Sequence, residues 1–141
     1  MTSPLDRCTL IELPKIESHA GAITPVQGSH EVPFEIQRVF FLYDIVAGAE
    51  RGGHAHQRLE QVYVAAMGSF TAVLTDGNAR RRVDLNQPHV GLYIAPMVWV
   101  DLVDFASGTI AVVLASRVYE EPDYIRSYDE YLVASARAAP A

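Results

Sequence analysis

The sequence contains a single cysteine, Cys8, in 141 residues, so no disulfide can form within the chain. That usage suits a reducing compartment, and Cys8 reads as a small buried apolar residue of the first strand. No apolar run approaches the roughly 20 residues that span a bilayer. The start of the chain lacks a basic segment followed by an apolar one, so a cytoplasmic protein without a secretory leader is expected. Positive charge is scarce as well. Eleven Lys and Arg stand against 17 Asp and Glu, a formal net charge of -6. That balance opposes an electrostatically driven nucleic-acid binder. The one basic run, Arg80-Arg81-Arg82, reads as a solvated strand end. Hydrophobic side chains are plentiful, 50% of all residues, which at this length suffices for a sizeable core. Without repeats, low-complexity tracts or internal linkers, residues 1–141 are expected to form one domain.

The apolar pattern is mostly that of strands. Residues 7–13 (RCTLIEL) stop at Pro14 and suit an opening strand, and Ala22-Ile23 marks a short one. Residues 35–45 (EIQRVFFLYDI) are apolar on both faces, which predicts a strand covered on both sides. Gly48 to Gly53 reads as a glycine-rich turn. Further strands are predicted over 60–67, 70–75, 79–85, 91–95, 98–105 and 109–116, with Asp76-Gly77-Asn78 as a strong hairpin signal. From 123 to 137 the period changes: Tyr124, Ile125, Tyr128, Tyr131, Leu132 and Ala136 recur at helical spacing, predicting an amphipathic helix. The Ala-Ala-Pro-Ala end is expected to fray. Many short strands without strand–helix alternation specify an all-β antiparallel barrel or jelly roll with a short C-terminal helix.

One stretch carries chemistry, Arg51-Gly-Gly-His-Ala-His-Gln-Arg-Leu-Glu-Gln-Val62. In an extended strand His54 and His56 project from one face, and an unbroken strand would add Glu60, Val62 and Val64 to it. Five residues separate Gly48 from His54 and three separate His56 from Glu60. This spacing resembles the first cupin motif, G(x)5HxH(x)3E(x)6G, although Gly68 falls one position late. The second motif would open at Gly91-Leu-Tyr-Ile-Ala-Pro96, but the stretch after Pro96, Met-Val-Trp-Val-Asp-Leu, supplies no further histidine. His19, His30 and His89 lie in loop-like segments. Two histidines and a glutamate can still form a facial triad on a divalent metal. Without metal, paired imidazoles suit proton transfer near neutral pH, and abstraction next to a carbonyl is the natural reaction class.

Several stretches carry a closer likeness. They are Pro33-Phe-Glu-Ile-Gln-Arg-Val39, Arg51-Gly-Gly-His-Ala-His56, Leu59-Glu-Gln-Val62, Val90-Gly-Leu-Tyr93, Pro96-Met-Val-Trp99, Val113-Leu-Ala-Ser116 and Asp123-Tyr-Ile-Arg-Ser-Tyr-Asp129. Together the chain resembles the nucleotide-sugar 3,4-ketoisomerases, the WxcM-like cupins acting on dTDP-4-keto-6-deoxyglucose. The resemblance implies a cupin jelly roll, a homodimer that exchanges N-terminal strands, and isomerisation without metal or other cofactor. A dTDP-linked 4-keto-6-deoxyhexose would become a 3-ketone through an enediolate, for 3-amino-3,6-dideoxyhexose biosynthesis. A metal-dependent cupin enzyme and a non-catalytic sugar-nucleotide-binding cupin are the competing readings. The histidine pair matches the family's catalytic histidines, with His56 expected as base and His54 as proton shuttle, the reverse order staying open. Arg51 and Arg38 are candidates for an oxyanion or the diphosphate. Tyr43 and Tyr93 would orient sugar hydroxyls, stack on thymine, or pack in the core. Glu60 is expected to orient a histidine and Trp99 to support the barrel mouth, while Asp101 has no assigned part. Two departures from the family pattern, Glu17-Ser-His-Ala-Gly21 and Val100, place His19 and Val100 beside sugar C4 and leave the product's C4 configuration open.

Overall fold

Alternating apolar positions build two five-stranded antiparallel sheets packed face to face as a jelly roll. The structure, a computed structural model, describes residues 3–138; of the 138–141 end expected to fray, Ala138 closes the C-terminal helix and the rest lies outside the described residues. In chain order the strands are β1 (Thr9–Glu12), β2 (Ile16–Ser18), β3 (Gly21–Ile23), β4 (Arg38–Leu42), β5 (Arg51–His56) and β6 (Gln61–Met67). There follow β7 (Phe70–Thr75), β8 (Arg80–Leu85), β9 (Val90–Ile94), β10 (Trp99–Val103), β11 (Ile110–Ala115), β12 (Tyr124–Ile125) and the helix α1 (Tyr128–Ala138). One sheet runs β1-β9-β6-β11-β4, the other β12-β5-β10-β7-β8, and β2-β3 form a separate hairpin.

Alternate residues of the strands meet between the sheets: Tyr63 and Ala65 of β6, Ala72 and Leu74 of β7, Leu92 of β9, Val100 and Leu102 of β10, Val113 of β11. Phe70 and Phe105 close one end as a stacked pair, centroids 5.3 Å apart. The opposite faces of β6 and β11 are buried too, because Leu13, Val32 and Phe34 of the N-terminal segment cover Val62, Val64 and Leu114. A third cluster, Ala55, Trp99, Ile125 and Tyr131, seats α1 on the outside of the second sheet. The Tyr131 hydroxyl lies 3.0 Å from the Thr75 carbonyl and 2.9 Å from that of Met97. Among the described residues no helix is long and apolar enough to cross a membrane.

Four expectations need correcting. The strand predicted over 35–45 is confined to Arg38–Leu42, and its outer face is bare, with Val39 and Phe41 more than half exposed. The supposed turn at Gly48–Gly53 ends inside β5. Gly52 has φ +89°, and a Cβ there would stand 2.8 Å from the Val100 carbonyl oxygen, so only glycine lets β10 approach at its bulge. β5 also breaks after His56. Gln61 and Tyr63 consequently face the interior while Val62 and Val64 face outward, and neither valine shares the histidine face. Finally, the helix starts at Tyr128 rather than 123, because Tyr124 and Ile125 pair with His56 and Ala55 as β12. Ser127 then caps it, its Oγ accepting the Glu130 N–H at 3.3 Å.

Candidate active site

β5 holds His54 and His56 on one face, as period two requires, their rings edge to face with centroids 4.9 Å apart. Tyr124, opposite His56 in the β12–β5 pair, packs against both rings at 5.3 and 4.2 Å. Behind His56 stands Asp123, its Oδ2 3.5 Å from the ring Nδ1. The Asp123 carboxylate is buried and accepts the backbone N–H groups of Arg58, at 2.9 Å, and Leu59, at 3.1 Å. The chain leaving β5 wraps this carboxylate, which is why the strand stops where it does.

His54 faces a cavity of about 250 Å³ between the sheets. Phe40, Leu42, Leu102 and Val113 form its apolar walls, and Tyr63, Tyr124, Arg51 and Arg126 supply polar groups. Arg126 lies over the Tyr124 ring at 4.1 Å and is held by Glu121 through two bonds of 2.8 and 2.9 Å. Beyond Phe40, the Arg38 guanidinium sits 5.2 Å from that ring and 5.5 Å from Tyr119, its Nε buried without a hydrogen-bond partner among the described residues. Tyr63 donates to Gln61 Oε1 at 3.2 Å, and deep burial raises its pKa, so it remains a neutral phenol.

Burial dominates the electrostatics of the pair. It pulls the His56 pKa down to about 3, helped by the charge of His54 and of Arg38 and opposed by Asp123. It also lowers that of His54, where Arg126 adds to the effect and the Gly52 backbone and Asp101 oppose it. At neutral pH both rings are uncharged, each carrying one N–H and one lone pair. That is a pair able to accept a proton at one nitrogen and release one at another.

The structure gathers some of the sequence-predicted residues and not others. Arg51 lines the cavity, Arg38 lies next to it, and Val100 is buried directly opposite His54 in the β5–β10 register. Tyr43 is not there. On β4 the even positions face inward, so Tyr43 points outward, 5.7 Å from Phe41. Tyr93 lies on the outer face of β9, where its hydroxyl donates to Glu60 Oε1 at 2.6 Å. Glu60 therefore orients no histidine, and Asp123 occupies that place instead. His54, His56 and Glu60 do not converge as a facial triad, and among the described residues no group of three His, Cys, Asp or Glu is placed to hold a metal ion. His19 sits in the exposed turn of the β2–β3 hairpin, apart from the cavity. Trp99 is structural but packs beneath α1 rather than at the mouth, its Nε1 donating to Asp101 Oδ2 at 3.2 Å.

Sequence reasoning missed Tyr63, Asp123, Tyr124 and Arg126. The signal for the last three was the Asp123-to-Asp129 stretch, whose first residues the helical period absorbed. Tyr63 was hidden by the assumption of an unbroken strand, which put Val62 and Val64 on the histidine face.

The chain is similar to known proteins over most of its length. The family model described as FdtA, WxcM-like, C-terminal matches residues 6–136. The TDP-4-oxo-6-deoxy-alpha-D-glucose-3,4-oxoisomerase of Aneurinibacillus thermoaerophilus is 41% identical over 122 residues, covering 86% of this chain and 88% of that protein. The 3,4-ketoisomerase QdtA of Thermoanaerobacterium thermosaccharolyticum, solved as a histidine-to-asparagine mutant with TDP-4-keto-6-deoxyglucose, superposes with a TM-score of 0.91 at 37% identity. That match covers 93% of this chain and 95% of QdtA. The WlaRB TDP-quinovose 3,4-ketoisomerase of Campylobacter jejuni gives a TM-score of 0.86 at 38% identity, over 90% of this chain and 98% of WlaRB. The chain belongs to the WxcM-like family of TDP-sugar 3,4-ketoisomerases.

Proposed function

We propose that the chain, as one cupin domain, converts a dTDP-linked 4-keto-6-deoxyhexose into its 3-keto isomer by histidine acid–base catalysis. The observation that carries this reading is the pair of neutral imidazoles beside a half-open cavity of mixed polar and apolar lining with arginines around it. The substrate class follows from the Aneurinibacillus relative and the ligand of QdtA. The C4 carbonyl acidifies the C3 proton, which a neutral ring nitrogen accepts. The C3–H electron pair becomes the C3=C4 bond of an enediolate, and the charge moves to O4. A proton then returns at C4 and the O3 proton passes to O4, leaving a ketone at C3. Two protons have moved and no electrons are gained or lost.

His54 is the base in this scheme, because it faces the cavity while His56 lies behind it against Asp123. This reverses the order expected from the sequence. His56 relays the proton. Arg51 and Arg38 hold the diphosphate, the Arg38 Nε being a buried donor that lacks a partner among the described residues. An NMR time course with dTDP-4-keto-6-deoxyglucose in deuterated buffer tests the reading. A 3-keto product with deuterium at C4 is expected, and its couplings give the C4 configuration. The absence of both conversion and exchange would rule the substrate out.

The working form in this proposal is a cytoplasmic homodimer with exchanged N-terminal strands, feeding 3-amino sugar biosynthesis. Its support is bare apolar surface on the β2–β3 hairpin, at Ile16 and Ile23, and on the outer face of β4. Exchange would carry the hairpin and His19 to a partner's cavity. Light scattering is expected to give twice the 15.5 kDa chain mass, and a monomer at micromolar concentration would end this part of the reading.

A further inference from the structure

We propose that Asp123 is a positioning residue that fixes the tautomer of His56, accepting its Nδ1–H and leaving the Nε2 lone pair to exchange a proton with His54. The inference rests on the histidine roles given above and adds a third member to the pair.

The carboxylate is 4% exposed and both of its oxygens are engaged, Oδ1 by the Arg58 N–H and Oδ2 by the Leu59 N–H. It cannot rotate freely. Backbone bonds hold both residues in place: Met97 N–H donates to the His56 carbonyl at 2.7 Å, and Gln57 N–H donates to the Asp123 carbonyl at 3.0 Å. The Tyr124–His56 pairing adds a third constraint. In this setting Oδ2 faces Nδ1 at 3.5 Å, a long contact, and neither buried nitrogen of His56 has a closer partner among the described residues. A buried imidazole must put its one N–H somewhere, and an unpaired buried donor is costly. Turned toward Asp123, Nδ1–H meets an anionic acceptor. The opposite tautomer would set a lone pair against the carboxylate. Arg58 Nε, 3.5 Å from Oδ1, partly balances the charge from the solvent side.

The tautomer matters because only a ring with its lone pair on Nε2 can take a proton from the side away from Asp123. An Asp123→Asn amide would offer an N–H to Nδ1 and favour the Nε2–H form, which cannot accept there. In serine proteases the analogous exchange lowers kcat by about 10⁴ through the wrong tautomer.

The test reads the tautomer directly, by ¹⁵N NMR of the histidine side chains at neutral pH without substrate. The His56 signals are assigned by their loss in His56→Asn. Wild type is expected to show Nδ1–H. Asp123→Asn is expected to show Nε2–H, with kcat lowered by about 100-fold or more and KM within about threefold. An Nε2–H wild type would overturn the proposal. So would an Asp123→Asn enzyme with near-wild-type kcat, or one whose kcat falls while the tautomer is unchanged, which would assign Asp123 to holding the loop after β5. Should that variant fail to fold, the wild-type spectrum still decides. Because the spectrum needs no substrate, it is independent of the sugar reading, which the deuterium time course decides separately.

Discussion

Replacing His54 by Asn is expected to lower kcat by about a thousandfold and to stop exchange of the sugar C3 proton with solvent, the range for loss of a general base. Asn is polar and of similar size, so the cavity keeps its shape, but an amide cannot accept a proton at neutral pH. Substrate binding is largely spared, because the arginines around the cavity are untouched. KM therefore moves far less than kcat, the signature of an interaction made in the transition state. Deuterium wash-out at C3, measured beside turnover, checks the assignment. If the variant exchanges within tenfold of wild type, the base lies elsewhere and His56 is the next candidate. The pH profile adds a signed expectation. A base must be neutral to act, and burial holds the His54 pKa below 6.5. The acid limb of kcat/KM should then fall below pH 6.5, so mild acid that protonates an ordinary imidazole leaves the enzyme active.

The second large effect is on stability. Folded, His56 takes a proton only near pH 3, whereas in the unfolded chain it does so near 6.5. Below pH 6.5 the unfolded state binds a proton that the folded state refuses, so acid favours unfolding. The contribution is fully present above 6.5 and is lost as pH falls toward 3. Over that window it amounts to on the order of 4–5 kcal/mol, a large part of a typical domain's stability. Urea unfolding of wild type and His56→Gln between pH 7.5 and 4 measures it. The variant starts less stable, since it disturbs a buried site, but its stability should fall less steeply with acid. Parallel slopes would show that His56 titrates normally in the fold.

How much of this the sequence specified depends on the range of each interaction. Strand alternation is a local property, so most strands and the all-β class were legible. The Asp76 turn was too, because its Oδ1 accepts the Asn78 and Ala79 N–H groups at 2.9 and 2.8 Å within four residues. The side-by-side histidines follow from period two alone, and the family from contiguous stretches such as Arg51 to His56. The tertiary structure decided what surrounds them. Glu60 was set with the histidines on the assumption of an unbroken strand. The break after His56 arises because Arg58 and Leu59 give their N–H groups to Asp123, a residue from the far end of the chain. Likewise, Tyr124 and Ile125 fit a helix by local period but become β12 once β5 offers an edge to pair with. Inward and outward faces of β4 and β9, both apolar, were settled only by which side another sheet or the N-terminal segment came to cover. Local spacing determined that two histidines stand side by side. Long-range hydrogen bonding and burial decided which carboxylate stands behind them, and that both rings stay uncharged.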